Sequence, residues 1–256
     1  MISTRFFINL GKKKHFEMAK YKSEHPWQRT FHKYFTEILS EKPFLRKDPG
    51  PYVSIARDFG CTANPLAKKL SAELTKINMQ RGIKKEWNWI NKEILEASAK
   101  ELGLKTSEIT YVFRSQQKST IDEIVSALSS KYYQSDRKIR KTITEVIKSL
   151  LSDGNIVIVG RGGVAFTQHI PRSLHIKLKA PLEWRINRIS KNYNLSHEEA
   201  KKIIKKVDKE RKALVETFLG KTTDETIFDI IYNRETMTEA QIIKSVICVM
   251  ESKKLI

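Results

Sequence analysis

Residues 52–70 read YVSIARDFGCTANPLAKKL and hold a strand, a loop and the start of a helix in immediate succession. The pattern predicts a short strand over 52–57 and a helix over about 65–76, with Asn64 suited to cap the helix and Pro65 suited to its first turn. In such a unit, successive backbone N–H groups and the helix N-terminus can point at an anion. This stretch is where we first look for a phosphate site.

The same loop matches a Walker A sequence poorly. The Gly-x-x-x-x-Gly-Lys-Ser/Thr spacing is absent, and Gly60 is the one glycine between strand and helix. Taken by itself, the stretch is more typical of an ordinary strand–helix connection. Cys61 lies near the predicted helix N-terminus, which would lower the pKa of a thiol; a small packing residue is the favoured interpretation.

The rest of the chain alternates between strand-like and helix-like patterns. Apolar or alternating runs predict further strands over 87–90, 156–159, 174–178 and 228–232. Helical spacing predicts helices over 92–101, 120–130, 137–151 and 239–250, one after Pro181, and one opened by a capping box at Ser196. Strands that alternate with helices favour an α/β fold, with a mainly parallel sheet covered on both faces. Ligands of such sheets collect beyond the carboxyl ends of the strands.

Composition narrows the class of protein. The 256 residues carry a formal net charge of +19, which suits anionic partners: nucleic acid, an acidic membrane surface or phosphorylated small molecules. The lysines are spread along the whole chain, so general composition explains much of this charge equally well. No stretch approaches the roughly 20 apolar residues of a membrane span. The two cysteines lie far apart in sequence, which predicts no disulfide scaffold and favours a cytoplasmic setting. The histidines are not at metal-ligand spacing, so no protein-held metal is predicted.

The first 50 residues are interpreted as an N-terminal extension, with residues 51–256 forming the main domain. A helix is expected over 27–40, and the turn-forming run at 47–51 marks the boundary. The basic, partly apolar start does not fit a secretory signal. A mitochondrial presequence and a true start at Met18 both stay open.

Arginines stand at positions where anions could bind. Arg161 directly follows the apolar run at 156–159, so it should lie at the carboxyl edge of the sheet, where a guanidinium can fork onto a phosphate. A surface arginine in a turn is the alternative. Arg185 and Arg188 share one helix face, and a solvated helix edge is the alternative for both.

Arg211 falls inside an apolar helical stripe, and a buried arginine needs an anionic partner. The stripe consists of Ile203, Ile204, Val207, Leu214 and Phe218. Asp208, three residues earlier, could form a purely structural pair with Arg211. A bound phosphate could equally be the partner, with Asp208 orienting the guanidinium.

Five segments in order resemble the cytidylate kinase-like family of P-loop nucleoside monophosphate kinases. They are Arg57-Asp58-Phe59-Gly60, IVIVGR at 156–161, APLEWRINR at 180–188, DKER at 208–211 and FDIIYN at 228–233. Each segment alone is weak, but their order from residue 52 to 250 is specific for the fold. The first 50 residues have no counterpart in the resemblance.

The resemblance implies a nucleotide kinase that transfers phosphate from ATP, with Mg²⁺, to a nucleoside monophosphate, with CMP as one candidate. The residues implied at the donor phosphates are Arg57, Gly60, Cys61, Thr62, Ala63 and Asn64. Asn91, Gly160 and Arg161 would hold the acceptor. A lid over about 185–222 would bring Arg185, Arg188 and Arg211 onto the phosphates, with Asp208 beside them.

The chain departs from the family pattern at two places. Cys61-Thr62-Ala63 replaces Ser-Gly-Gly in the loop, and each added Cβ narrows the backbone conformations that can wrap a phosphate. Asn91 stands where the family has an aspartate. Two alternatives to the enzyme therefore remain: a nucleotide-binding protein without turnover, and a basic nucleic-acid-binding module.

Overall fold

The computed structural model describes residues 50–91, 154–160 and 162–256. The predicted extension helix at 27–40, the helices at 92–101, 120–130 and 137–151, and Arg161 lie outside these residues. None of the described helices combines the length and the apolarity needed to cross a bilayer.

The described strands form one parallel five-stranded sheet in the order β2-β3-β1-β4-β5. The strands are β1 (Tyr52–Arg57), β2 (Asn88–Ile90), β3 (Ile156–Val159), β4 (Ser173–Lys179) and β5 (Ile230–Asn233). The central strand β1 pairs with β3 on one side and with β4 on the other. The predicted α/β fold with a parallel sheet is confirmed.

Helices connect and cover these strands. They are α1 (Asn64–Gln80), α2 (Gly163–Thr167), α3 (Leu182–Tyr193), α4 (His197–Leu219) and α5 (Glu239–Ser252), with a 3₁₀ helix at Glu225–Ile227. The capping box at Ser196 forms as predicted: its side chain accepts a hydrogen bond from the Glu199 N–H, and the Glu199 side chain accepts one from the Ser196 N–H. Local sequence signals thus set the start of α4.

Among the described residues, buried apolar side chains form two separate clusters. One face of the sheet, including Val53, Ile55 and Ile176, packs against α1 and α5 in the main core. The second cluster joins α3 and α4 to Phe59, in the loop after β1. The α3–α4 hairpin is therefore anchored by apolar burial onto the loop in which the sequence predicts the phosphate site.

The opposite face of the sheet carries a buried histidine. His175 lies between two serines, with Nδ1 2.8 Å from Ser54 Oγ and Nε2 3.0 Å from Ser173 Oγ. Its backbone N–H donates to Asp229 Oδ2 at 2.7 Å, and Lys253 Nζ lies 3.1 Å from Asp229 Oδ1. Burial lowers the pKa of His175 below its ordinary 6.5, against the opposing charge of Asp229, so the neutral ring is favoured in the fold.

Acidification is expected to destabilise the protein through His175. Because its pKa is lowered in the fold, the unfolded chain takes up a proton first as the pH falls below 6.5, and stability declines by up to about 1.4 kcal/mol per pH unit. Thermal melts between about pH 7.5 and about pH 5.5 measure this slope. His175→Gln should flatten the slope, whereas His169→Gln, at an exposed position, should leave it unchanged. Identical slopes in both variants would contradict the assignment.

Candidate functional site

A cleft of about 670 Å³ opens at the carboxyl edge of the sheet, within the range of small-molecule sites. Its floor comes from β1, the segment after β3 and the end of β4, and its walls from α2, α4 and residues 223–228. The chain leaves β1 toward β2 and leaves β4 toward β5, in opposite directions along the sheet. The cleft thus lies at the topological switch point, where open α/β sheets bind ligands.

The loop after β1 differs in detail from the prediction. Ala63, rather than Asn64, occupies the N-cap of α1 and makes no side-chain cap bond, so the predicted capping role of Asn64 is wrong. Asn64 is instead the first helical residue and lines the cleft. Pro65 has no N–H to offer, which removes one possible anion donor from the first turn.

The predicted donor-phosphate residues divide into two groups. Arg57 and Asn64 line the cleft. The four residues between the bend and the helix do not line it; they are Gly60, Cys61, Thr62 and Ala63. Cys61 and Ala63 face the main core.

Cys61 is a packing residue. Burial, and secondly the charge of Asp58, raise the pKa of its thiol to about 11. The lowering expected from the nearby helix N-terminus is therefore wrong, because loss of solvent outweighs the effect of the helix end.

The α3–α4 hairpin forms hydrogen bonds with the backbone of this loop. Asp208 accepts a hydrogen bond from the Phe59 N–H at 2.7 Å, and Arg185 Nη1 donates to the Phe59 carbonyl oxygen at 3.3 Å. Arg185 and Asp208 pair at 2.5 Å, and Arg185 Nε also donates to the Ala180 carbonyl oxygen at 3.1 Å. We name this arrangement of Arg185, Asp208 and Phe59 the latch.

The latch changes the interpretation of two predicted residues. Arg185 is 9 % exposed and paired, so it lies on no solvated helix edge. Gly60, with φ +98, lies directly against it, and an added Cβ would approach the Arg185 Cβ to 3.2 Å. The sequence left open whether Asp208 or a phosphate partners Arg211; in the fold, Asp208 pairs with Arg185.

Arg211 and Arg57 do meet at the cleft. Arg211 Nη1 donates to the Arg57 carbonyl oxygen at 2.8 Å, and its guanidinium lies 5.5 Å from the centre of the Phe59 ring. The Arg57 guanidinium lies against Gly160, where an added Cβ would overlap Nη1. Both arginines line the cleft.

The remaining predicted residues are less closely grouped. Asn91 and Gly160 line the cleft. Arg188 lies 5.3 Å from the Trp184 ring on the exposed side of α3 and does not line the cleft. Arg161 lies outside the described residues.

Sequence reasoning missed much of the cleft wall. The missed residues include Asp58, Lys177, Lys179, Lys212, Glu225 and Phe228. One signal for two of them was present: Lys177 and Lys179 form the polar side of an alternating strand and stand at its carboxyl end, where ligands of parallel sheets bind.

Residues 52–236 match the model of the cytidylate kinase-like family. The chain belongs to this family. The resemblance inferred from the five segments is thereby confirmed.

Individual relatives are more distant. The chain is similar to the cytidylate kinase of Methanocaldococcus jannaschii, with 32 % identity over 105 residues, covering 40 % of this chain and 59 % of that kinase. A solved, uncharacterized protein from Eubacterium ventriosum has 17 % identity and a TM-score of 0.55, covering 78 % of this chain and 98 % of that one. This similarity supports the shared fold. The dephospho-CoA kinase of Campylobacter jejuni superposes with 13 % identity and a TM-score of 0.36, over 80 % of this chain and 97 % of that one.

Gly160 offers a test of the Arg57 position in this cytidylate kinase-like cleft. Gly160 and Gly220 both have φ +69, so alanine at either strains the backbone, by about 1 kcal/mol. Only at position 160 would the new Cβ overlap Arg57; at Gly220 the space is open. We expect similar losses of thermal stability and, if the cleft binds ATP as the family resemblance implies, weaker ATP binding in Gly160→Ala alone. Equal ATP affinity in both variants would show that Arg57 plays no part in binding.

Proposed function

We propose that the protein is a nucleotide kinase that transfers a phosphoryl group from ATP to a nucleoside monophosphate, with CMP as the first candidate acceptor. The observation that carries the proposal is the cleft at the switch point of a cytidylate kinase-like fold, with basic side chains arriving from separate elements. They are Arg57 from β1, Lys177 and Lys179 from β4, and Lys209, Arg211 and Lys212 from α4.

This set of side chains suits phosphoryl transfer. An oxygen of the acceptor monophosphate attacks the γ-phosphorus of ATP, the bond to the β-phosphate oxygen breaks, and ADP leaves. The attacking oxygen is already anionic, so the protein chiefly positions the phosphates and neutralises their charge. Arg57 and Arg211 are joined through the Arg57 carbonyl oxygen at 2.8 Å, which couples the end of β1 to the lid helix. In the proposed role, Arg211 stabilises the negative charge that moves from the γ-phosphate to ADP during transfer.

The cleft also fits a nucleotide-borne Mg²⁺. Magnesium is commonly held by one or two carboxylates together with substrate phosphates. Asp58 and Asp224 line the cleft and are the side chains that could complete its coordination. Among the described residues, no group of three or more potential ligands forms a site independent of the nucleotide. The ion would neutralise phosphate charge.

A coupled assay that detects ADP tests the proposal, with ATP and Mg²⁺ as donor and each common nucleoside monophosphate as acceptor. We expect turnover that depends on one or a few acceptors. ADP release at the same rate without any acceptor would point to an ATPase instead, and absence of ADP with every acceptor would refute the kinase.

A nucleotide-binding protein without turnover is the second candidate, and two features of the loop after β1 favour it over the enzyme. The Phe59 N–H, in the bend after β1, donates to the Asp208 carboxylate and is therefore not available to a bound phosphate in this conformation. Pro65 removes a second donor from the helix start. Saturable ATP or CMP binding by calorimetry, with no product in the coupled assay, would select this candidate.

A further inference from the structure

The family fold is found here without the lysine that P-loop enzymes place in the phosphate loop. The first lysines of α1, Lys68 and Lys69, do not replace it. Both are exposed, neither lines the cleft, and Lys69 Nζ pairs with Glu239 on α5 at 2.7 Å. A positive charge for the donor phosphates must therefore come from another element.

Lys177, on β4, places a positive charge in the cleft. It pairs in register with Ala56 of β1, one residue before Arg57, on the sheet face that opens into the cleft. Its Nζ lies 2.9 Å from Glu225 Oε1 and 3.4 Å from Asp58 Oδ1, and 5.6 Å from the centre of the Phe228 ring. The side chain is 19 % exposed.

The charge of Lys177 is preserved at this position. Burial alone would lower its pKa, but the hydrogen bond that Lys177 donates to Glu225 and the charges of Asp58 and Glu225 raise the pKa above its ordinary value. Stability alone gives little reason for a mostly buried lysine here, because the cost of desolvating such ion pairs largely cancels their attraction.

Of the two carboxylates that pair with Lys177, Glu225 can move away without becoming an unpaired buried charge. Glu225 lies on the short 3₁₀ helix, is 47 % exposed and also pairs with Lys179 Nζ at 2.7 Å. Asp58, in contrast, is 14 % exposed and follows β1 directly. An incoming phosphate can displace Glu225 from Lys177, while Asp58 keeps the ammonium in place.

We propose that Lys177 supplies from β4 the phosphate-binding ammonium that kinases with a Walker A lysine carry in the loop itself. The inference rests on the proposed function, since it assigns a residue to the donor phosphates of that same cleft. Glu225 pairs with the Lys177 ammonium at 2.9 Å, and in this proposal an incoming phosphate takes its place.

The test is calorimetric titration of the full chain with ATP and with inorganic tripolyphosphate. Lys177→Met is expected to raise the Kd for both by about tenfold or more, because a charged hydrogen bond to phosphate is lost. Lys69→Met is the matched control: it also removes an ammonium paired with a glutamate, but outside the cleft, and should leave both Kd values unchanged. Lys177→Arg keeps the charge and should lose less than Lys177→Met.

Glu225→Gln distinguishes an effect on ATP affinity from an effect on stability. If Glu225 competes with phosphate for Lys177, this variant should bind ATP more tightly while its Tm falls slightly. Unchanged affinity in Lys177→Met, or weaker affinity in Glu225→Gln, would overturn the assignment of Lys177 and leave the kinase proposal intact. Failure of the unsubstituted protein to bind ATP would overturn both. If Lys177→Met does not fold, the Lys177→Arg and Glu225→Gln titrations decide.

Discussion

Asp208→Ala is expected to destabilise the protein by about 3 kcal/mol, because it leaves the buried guanidinium of Arg185 without its carboxylate. The pair lies at 2.5 Å with side chains 10 % and 26 % exposed, and Asp208 also accepts the Phe59 N–H at 2.7 Å. The substitution therefore removes a charge partner and a backbone acceptor together. Denaturant unfolding monitored by circular dichroism measures the loss.

A second ion pair serves as the control, because its N–O distance equals that of Arg185 and Asp208 while its side chains are far more exposed. Arg81 and Glu251 also lie at 2.5 Å, yet their side chains are 41 % and 47 % exposed. Glu251→Ala is expected to cost no more than about 1 kcal/mol, as exposed ion pairs do. The double variant Arg185→Met/Asp208→Ala should recover part of the loss, because no unpaired buried charge remains. Equal, small losses in Asp208→Ala and Glu251→Ala would mean that the latch does not hold the loop.

Arg211→Met is expected to lower kcat by about 100-fold or more if the protein is the proposed kinase, since it removes a donor positioned for charge in the transition state. The Arg57 carbonyl oxygen and the Phe59 ring orient its guanidinium at the cleft wall, at 2.8 Å and 5.5 Å. The kcat of Arg211→Lys should lie between those of Arg211→Met and the unsubstituted protein, because an ammonium keeps the charge but not the planar arrangement of donors.

Steady-state kinetics with ATP and the acceptor found in the coupled assay measure this effect. Arg81→Met is the control, because this arginine is exposed and lies outside the cleft. Circular dichroism must show that Arg211→Met folds. A folded Arg211→Met with a kcat equal to that of Arg81→Met would remove Arg211 from the catalytic role.

Apolar packing and the latch both connect the α3–α4 hairpin to the loop after β1. Phe59 packs with residues of α3 and α4 in one apolar cluster, and the latch fixes its backbone. A movement of the hairpin must therefore carry the bend after β1 with it, or break the latch. We expect nucleotide affinity to respond to substitutions in the latch, although Arg185 does not line the cleft.

Most of the described fold could be predicted from the sequence. The bounds of β1 and β3 agree with the predicted 52–57 and 156–159, and the helix predicted over 239–250 extends to residue 252. The last strand begins at Ile230 rather than at residue 228, because the Asp229 carboxylate takes the His175 N–H. That exception involves a side chain 54 residues distant in sequence.

The sequence by itself determined the strand and helix pattern, the capping box at Ser196 and the family, since periodicity and caps depend on residues within a few positions of each other. Only the tertiary structure decided which charges meet. Asp208 binds a backbone N–H 149 residues away, and Lys177 reaches the cleft from β4. Burial raises the thiol pKa of Cys61, and the packing of α3 against α4 brings Arg185 to Asp208. Desolvation and ion pairing both depend on distances in space that no local pattern contains.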